Sequence, residues 1–138
     1  MGIFLKDINL KGKTALITGA TKGLGRGAAI AIAEAGGNVI AIGRNQIELN
    51  TLKKEVKKLK VNYIPFNCDV NDYNKMKSFI TKLKKLDILV NNAGTNIPES
   101  FLNVKKSSME TLLNVNTKAV FNIAQLCANQ IIKLKKKS

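Results

Sequence analysis

A glycine-rich turn between a short apolar segment and a helical segment is the first place in this sequence where chemistry can be expected. Residues 18–25 read Thr-Gly-Ala-Thr-Lys-Gly-Leu-Gly, so Gly19, Gly23 and Gly25 surround the junction. Because glycine has no Cβ, a pyrophosphate can approach the backbone of such a turn closely. The N-terminus of the following helix would offer free N–H groups and a positive dipole end. From this pattern alone, an ordinary glycine-rich turn is the alternative.

Alternating strand and helix patterns must position this turn. Short apolar runs predict four buried strands, and apolar residues three or four apart predict an amphipathic helix after each of them. The strands are expected at residues 15–17, 38–42, 63–66 and 87–90, and the helices at 24–35, 46–60, 72–86 and from 107 or 108 to about 133, the last with a bend. This alternation predicts an α/β fold, a parallel sheet with helices on both faces, in a single domain over residues 1–138.

The composition excludes several kinds of site. An apolar content of 45% is enough for a buried core. The absence of His excludes a His base, a His metal ligand and a His pH switch, and no metal site is predicted. Cys68 and Cys127 are far apart and lack a CxxC partner, so we interpret them as small buried hydrophobes in a reducing compartment.

Positive charge is the other prominent property of the chain. The 23 Lys and Arg residues against 9 Asp and Glu give a formal net charge of +14. The lysines are spread over the outer faces of amphipathic helices with little aromatic interleaving, so we interpret the charge as a solvated surface and expect no nucleic-acid partner. We recognise no signal peptide and no apolar run long enough to span a membrane, and expect a cytoplasmic protein without a membrane partner.

A second motif, Asn91-Asn92-Ala93-Gly94, follows the fourth predicted strand. With the TGxxxGxG spacing of residues 18–25, it makes the sequence resemble the short-chain dehydrogenase/reductase family from Lys13 to about Gln125. The resemblance implies a Rossmann-type, doubly wound parallel sheet with a nicotinamide cofactor across the strand ends. Here the sheet would be incomplete, with four strands in the order 3-2-1-4. The implied activity is hydride transfer between a secondary alcohol and the matching ketone.

The resemblance also implies site residues. Asp69 matches the acidic residue that hydrogen-bonds the adenine amino group, and Asn116 matches the Asn of the family's catalytic set, whose backbone helps to hold a water in the proton relay. A cap or turn role for Asp69 and a plain helical role for Asn116 are the alternatives. The predicted catalytic residue is Asn116, and the predicted cofactor-binding set is Gly19, Thr21, Lys22, Gly23, Leu24, Gly25, Arg44, Asp69, Val70, Asn92, Ala93 and Gly94.

The choice of cofactor can be argued from the end of the second strand. Gly43 and Arg44 stand where an NAD-preferring enzyme carries an acidic residue for the ribose 2′-hydroxyl. The planar guanidinium of Arg44 suits a phosphate, Lys22 is a second cation directed at the same region, and no carboxylate is expected there to repel a 2′-phosphate. These residues predict a preference for NADP(H), with NAD(H) as the second choice. The competing explanation is that both cations are merely solvated.

The family's catalytic Ser, Tyr and Lys have no counterpart in these 138 residues. Tyr73 and Lys77 form a YxxxK string, but it precedes the Asn-Asn-Ala-Gly motif, so we reject it as the catalytic pair. The chain alone is therefore expected to be inactive, and we favour a truncated reading of a complete reductase. The alternatives are a nucleotide-binding module without catalysis and one chain of a split enzyme.

For the substrate and the partners, the resemblance predicts only a chemical class. The resemblance favours sugar-acid or polyol dehydrogenases and 3-oxoacyl carrier-protein reductases, so the expected substrate is a small alcohol or ketone, with residues 95–102 as candidates for its wall. A homo-oligomer is expected for a complete chain. The fourth strand should be an open edge. The last helix should lack part of its packing partners, and its apolar stripe is Val120, Ile123, Leu126 and Cys127.

Overall fold

A computed structural model describes residues 7–137 of the chain. Four strands alternate with helices in the predicted order. The elements are β1 (Thr14–Thr18), α1 (Gly23–Glu34), β2 (Asn38–Gly43), α2 (Gln46–Lys57), β3 (Tyr63–Asn67), α3 (Tyr73–Ile80), β4 (Ile88–Val90), a single 3₁₀ turn (Phe101–Asn103), α4 (Lys106–Leu113), a wide helical turn (Asn114–Ala119) and α5 (Val120–Lys135).

All strands run parallel in one sheet with the order β3-β2-β1-β4, which confirms the predicted topology. Leu16 of β1 stands beside Ile40 of β2 on one side and beside Leu89 of β4 on the other. Among the described residues β4 pairs with β1 alone, so its outer edge is open, as expected. The other edge strand, β3, contains Pro65, a residue that sheets accept at their edges because it cannot donate to a ladder.

The two central strands are buried on both faces, as their uninterrupted apolar runs predict. Alternate side chains serve two separate cores. The core under α1 and α2 contains Ala15, Ile17, Ala29, Ala33, Val39, Ala41, Leu49, Leu52 and Val56. The core under α3 and α5 contains Leu16, Ile40, Ile42, Met76, Ile80, Leu86, Ile123, Leu126 and Cys127.

Local sequence signals set where α2 and α3 begin. The Asn45 side chain accepts hydrogen bonds from the backbone N–H groups of Ile47 and Glu48, and the Asp72 side chain accepts one from Lys75. Each is an ordinary N-cap that satisfies donors left without a partner in the first turn of a helix. Asn45 and Asp72 lie in the loops that follow β2 and β3, so both helices begin at the carboxyl edge of the sheet.

The predicted ends of α2 and α3 were wrong. We expected α2 to reach residue 60, but Lys60 has a left-handed φ of 58°, and the helix ends at Lys57. We expected α3 to reach residue 86, but it ends at Ile80. The Asp87 N–H, which would continue such a helix, donates instead to the Thr14 carbonyl of β1 at 2.9 Å. The carbonyl of Leu83 accepts from the Gln130 side chain of α5 at 2.6 Å.

The last helical run spans α4, the wide turn and α5, from Lys106 to Lys135, and its wide turn takes the place of the predicted bend. We expected this helix to lack part of its packing partners, and Met109, Leu113 and Phe121 on the same run are exposed. Most of the predicted apolar stripe is nevertheless packed. Ile123, Leu126 and Cys127 are buried against the sheet and α3. Over residues 7–137, no helix is both long and apolar enough to cross a membrane.

Candidate functional site

A cavity of about 410 Å³ opens at the carboxyl edge of the sheet, where the loops after all four strands meet. This edge is the usual place for a ligand in an open α/β sheet. The cavity brings together predicted site residues from the segments that follow each of the four strands. Among its lining residues are Gly19, Thr21, Lys22, Gly43, Arg44, Asp69, Val70, Ala93 and Gly94.

The glycine turn after β1 has the backbone that a phosphate site needs. Gly19 and Gly23 have φ angles of 63° and 51°, in the left-handed region that disfavours residues with a Cβ. α1 begins at Gly23, and within residues 7–137 no side chain caps the free N–H groups of its first turn. No acidic residue lies in that turn either. The N–H groups and the positive end of the helix dipole are therefore available to an anion.

Gly25 brings the two sequence motifs into direct contact. A Cβ built at Gly25 would collide with the carbonyl oxygen of Gly19 and with the side-chain amide of Asn92. That amide donates to the carbonyl oxygens of Thr18 and Gly19, each at 3.2 Å. Gly25 and Asn92 thus lie behind the turn and hold it in place, and neither belongs to the cavity wall.

Thr18 is a residue of this junction that the sequence analysis did not single out. It is fully buried, and its hydroxyl accepts hydrogen bonds from the backbone N–H groups of Asn92 and Ala93, both at 3.0 Å. These bonds join the end of β1 to the segment after β4. A signal was available, because a hydroxyl at the end of a buried strand must find a partner.

Three further predicted residues, Gly23, Leu24 and Asn116, lie away from the wall. Gly23 is the first residue of α1. The Leu24 side chain is 87% exposed, on the outside of the first turn of α1. Asn116 lies in the wide helical turn, where its side chain accepts from the Thr95 N–H and donates to the Thr95 carbonyl, both at 2.8 Å. Thr95 itself lines the cavity, so Asn116 reaches the site through this loop residue.

A carboxylate that was not expected pairs with one of the two cations that line the cavity. Lys22 Nζ lies 3.0 Å from Glu48 Oε1, while Arg44 is exposed at the end of β2. The Asn45 cap begins α2 so close to the glycine turn that Glu48, in the first helical turn, reaches Lys22. The expectation that no carboxylate lies in this region was therefore wrong, although the charges of Lys22, Arg44 and Glu48 still sum to a positive value.

The opposite wall of the cavity is formed by the loop after β3. The Asp69 carboxylate accepts from the Asn71 N–H at 2.9 Å, which is the turn role considered for it, and the residue also lines the cavity. Cys68 is buried beside it, and burial raises the pKa of its thiol, an effect that the nearby Lys75 ammonium partly opposes. The thiol is therefore neutral and inert at neutral pH.

Two other titratable groups with shifted pKa values lie in the cores. Burial raises the pKa of Cys127 to about 12. Burial also raises the pKa of Tyr63 to about 12, although the Arg26 guanidinium opposes this, and the Tyr63 hydroxyl donates to the Leu49 carbonyl at 2.8 Å. Both groups support packing. In the part of the chain that the structure describes, no three His, Cys, Asp or Glu residues cluster as metal ligands would.

Comparison with known proteins agrees with this geometry. Residues 13–138 match the short chain dehydrogenase family. The L-xylulose reductase of Mus musculus is 34% identical over 126 residues, which are 91% of this chain and 50% of that protein. The 3-oxoacyl-[acyl-carrier-protein] reductase FabG of Thermotoga maritima is 33% identical over 130 residues, 91% of this chain and 53% of that protein.

A solved structure supports the same assignment. The structure of a 7α-hydroxysteroid dehydrogenase, complexed with NADH and 7-oxo glycochenodeoxycholic acid, superposes with a TM-score of 0.85 at 31% identity. The match covers 96% of this chain and 53% of that one. The chain thus spans about half the length of the curated relatives it matches. The two motifs, the sheet order and these matches agree, and the chain belongs to the short-chain dehydrogenase family.

Proposed function

We propose that this chain forms the cofactor-binding part of an oxidoreductase that transfers a hydride between a secondary alcohol and the matching ketone. The observation that carries the proposal is the cavity at the carboxyl edge of the sheet, bordered by the glycine turn and the N-terminus of α1. When bound, a nicotinamide cofactor supplies or accepts the hydride, and the protein binds and orients it.

The residues present fit such a dinucleotide. Gly19, Thr21 and Lys22 of the glycine turn line the cavity, which leaves this part of the turn open to a pyrophosphate. The uncapped first turn of α1 offers N–H donors for its oxygens. Asp69 and Val70 line the side of the cavity on which the adenine would bind, and Ala93 and Gly94 line the side after β4.

We further propose that the preferred cofactor is NADP(H), with NAD(H) as the second choice. Arg44, after β2, and Lys22, in the glycine turn after β1, both line the cavity, and Gly43 carries no acidic side chain for a ribose 2′-hydroxyl. A 2′-phosphate would accept charge-assisted hydrogen bonds from the Arg44 guanidinium. Lys22 would be shared between the phosphate and Glu48, so we expect Arg44 to contribute more than Lys22.

Asn116 would act in the proton relay through its backbone. Both polar atoms of its side chain are engaged with Thr95, so we assign the contact with the water to its backbone. Helical segments with such wide turns often occur at functional sites. The catalytic Ser, Tyr and Lys of the family are not supplied by these 138 residues, and we expect the chain alone to bind cofactor without turning it over.

For the whole protein, we propose a small alcohol or ketone as the substrate. The names of the relatives, a xylulose reductase and a 3-oxoacyl-carrier-protein reductase, agree with the two substrate classes expected from the sequence. We also propose a homo-oligomer. Met109, Leu113 and Phe121 are 57%, 50% and 65% exposed along the last helical run, and large apolar side chains at such exposure fit a subunit contact.

Calorimetric titration of the purified chain with NADPH and NADH tests the cofactor proposal. We expect NADPH to bind more tightly, and Arg44→Asp to weaken NADPH about 10- to 100-fold, the worth of one or two charged hydrogen bonds. Lys57→Asp, on the exposed side of α2, makes the same change in net charge and serves as the control. Failure of the parent chain to bind either nucleotide would refute the proposed function, and equal NADPH affinity of Arg44→Asp would refute the NADP(H) preference.

A further inference from the structure

Gly43, at the end of β2, lies directly against Thr21 of the glycine turn. A Cβ built at Gly43 would collide with the Thr21 methyl group, Cγ2, and would lie 3.5 Å from both Cβ and Oγ1 of Thr21. The φ of Gly43 is outside the left-handed region, so its backbone would accept a side chain. The three heavy atoms nearest to such a Cβ all belong to Thr21, and of these three the methyl group is the one at colliding distance.

Neither backbone can move away easily. The Ala20 N–H donates to the Ile42 carbonyl at 3.1 Å and joins the glycine turn to the end of β2. The Cys68 N–H donates to the Gly43 carbonyl at 3.0 Å and joins that end to the loop after β3. A shift of either segment would break a hydrogen bond at the carboxyl edge of the sheet, which would leave polar backbone groups unpaired.

Arg26 holds Thr21 from the other side. Its Nη1 donates to the Thr21 carbonyl at 3.2 Å and to the Glu48 carbonyl at 3.4 Å, and its Nη2 lies 2.6 Å from the Glu55 carboxylate. The guanidinium side chain is only 23% exposed. This clamp ties the turn to α2 and keeps Thr21 pressed toward the end of β2.

Position 43, which the Thr21 methyl group contacts, is the one where an acidic side chain would accept a hydrogen bond from the ribose 2′-hydroxyl of NAD(H). We propose that Thr21, held by the Arg26 clamp, is a specificity-determining residue of this site. Its methyl group excludes any side chain from position 43, and with it the acid that NAD(H) recognition needs. The inference rests on the proposed function. It adds a steric cause for the cofactor preference, which is separate from the contacts of Arg44 and Lys22 with the 2′-phosphate.

The stiffness of threonine supports this role. A β-branched side chain has few accessible χ1 rotamers, and a rotation that exchanges Cγ2 for Oγ1 leaves a heavy atom in the same place. Replacement by Ser removes only the methyl group and keeps the hydroxyl. Replacement by Val keeps a methyl group at each of the two branches. The pair Thr21→Ser and Thr21→Val therefore separates the effect of the methyl from that of the hydroxyl.

A first experiment measures the contact without any nucleotide. Gly43→Ala is introduced into the parent chain, into Thr21→Ser and into Thr21→Val, and the melting temperature of each is recorded. In the parent and in Thr21→Val we expect Gly43→Ala to lower Tm by roughly 5 °C, the effect of overpacking by one carbon. In Thr21→Ser we expect the loss to be less than half of that. Equal losses in all three backgrounds would overturn the inference.

A second experiment measures the specificity. We expect the double variant Thr21→Ser/Gly43→Asp to raise the ratio of NADH to NADPH affinity about tenfold or more over Thr21→Ser, and Thr21→Val/Gly43→Asp to leave it near that of Thr21→Val. The same gain in Gly43→Asp alone would overturn the inference. If the parent bound neither nucleotide, the proposed function and the specificity role would both fail, and the melting temperatures would still report the contact separately.

Discussion

The substitution Gly25→Ala should damage the site more than its single added carbon suggests. The new Cβ would collide with the Gly19 carbonyl oxygen and with the Asn92 side-chain amide. The first obstacle is backbone, and the second makes two hydrogen bonds to the carbonyls of Thr18 and Gly19. Relief of the collision therefore requires that α1 move away from β1 or that the Asn92 amide leave both of its partners.

The size of the effect follows from these two routes. Overpacking in a closely packed region costs about 1–3 kcal/mol. Loss of the two Asn92 hydrogen bonds costs about 1 kcal/mol for each bond. The higher helix propensity of Ala over Gly returns about 1 kcal/mol. We expect a net loss of about 2–4 kcal/mol in the free energy of unfolding, a large part of the 5–15 kcal/mol typical of a whole domain.

Gly27 provides the matched control, because it lies two residues further along the same helix. A Cβ at Gly27 would meet nothing within 4 Å. Gly27→Ala should therefore raise the free energy of unfolding by about 0.5–1 kcal/mol through helix propensity alone. Urea denaturation followed by circular dichroism gives both values, and calorimetric titration with NADPH measures whether the Gly25→Ala turn still binds phosphate.

The two glycine variants should move the unfolding free energy in opposite directions. If Gly25→Ala were as stable as Gly27→Ala, the close approach of α1 to the Asn92 amide would be refuted as a constraint on this position. If Gly25→Ala lost stability but bound NADPH as tightly as the parent, the contact would be structural only, and its role in holding the turn in a shape that binds a pyrophosphate would be refuted.

Three further outcomes are expected. Thr18→Val should lower the unfolding free energy by about 2–4 kcal/mol, because two backbone N–H groups lose the hydroxyl that accepts them, and stability within 0.5 kcal/mol of the parent in urea denaturation would refute this. Asn116→Leu should increase the hydrogen exchange rate of the Thr95 amide about tenfold by NMR, since that N–H loses its 2.8 Å partner, and an unchanged rate would count against the pairing. The contribution of Cys127 to the free energy of unfolding should be full below pH 9 and fall as the pH rises toward 12. The reason is that the Cys127 thiol, with a pKa raised from 9.0 to about 12, keeps its proton in the folded protein while the unfolded chain releases it. The slope from this group is at most about 1.4 kcal/mol per pH unit, and Cys127→Ala should flatten the alkaline part of the urea-denaturation profile.

The architecture, and the edge of the sheet at which the candidate site lies, could be predicted from the order of residues along the chain. The apolar runs around Leu16 and Ile40 have no polar alternation, which marks strands covered on both faces, and their alternation with helices leaves few topologies. The glycine turn and the Asn-Asn-Ala-Gly motif both follow strands, so parallel pairing alone places them at one edge of the sheet. These inferences need only local chain composition and general rules of sheet geometry.

Helix ends and side-chain pairings could not be predicted in this way, because they depend on contacts between residues that are distant in the sequence. The end of α3 at Ile80 could not be read from its apolar spacing, because the Asp87 N–H and the Leu83 carbonyl find partners in β1 and α5. In the same way, the pairing of Lys22 with Glu48 and the contact of Thr21 with Gly43 exist only because the Asn45 cap and the Arg26 clamp bring α2 beside the glycine turn. Hydrogen bonds and close contacts act over about 3–4 Å in space, and the spacing of residues along the chain does not predict those distances.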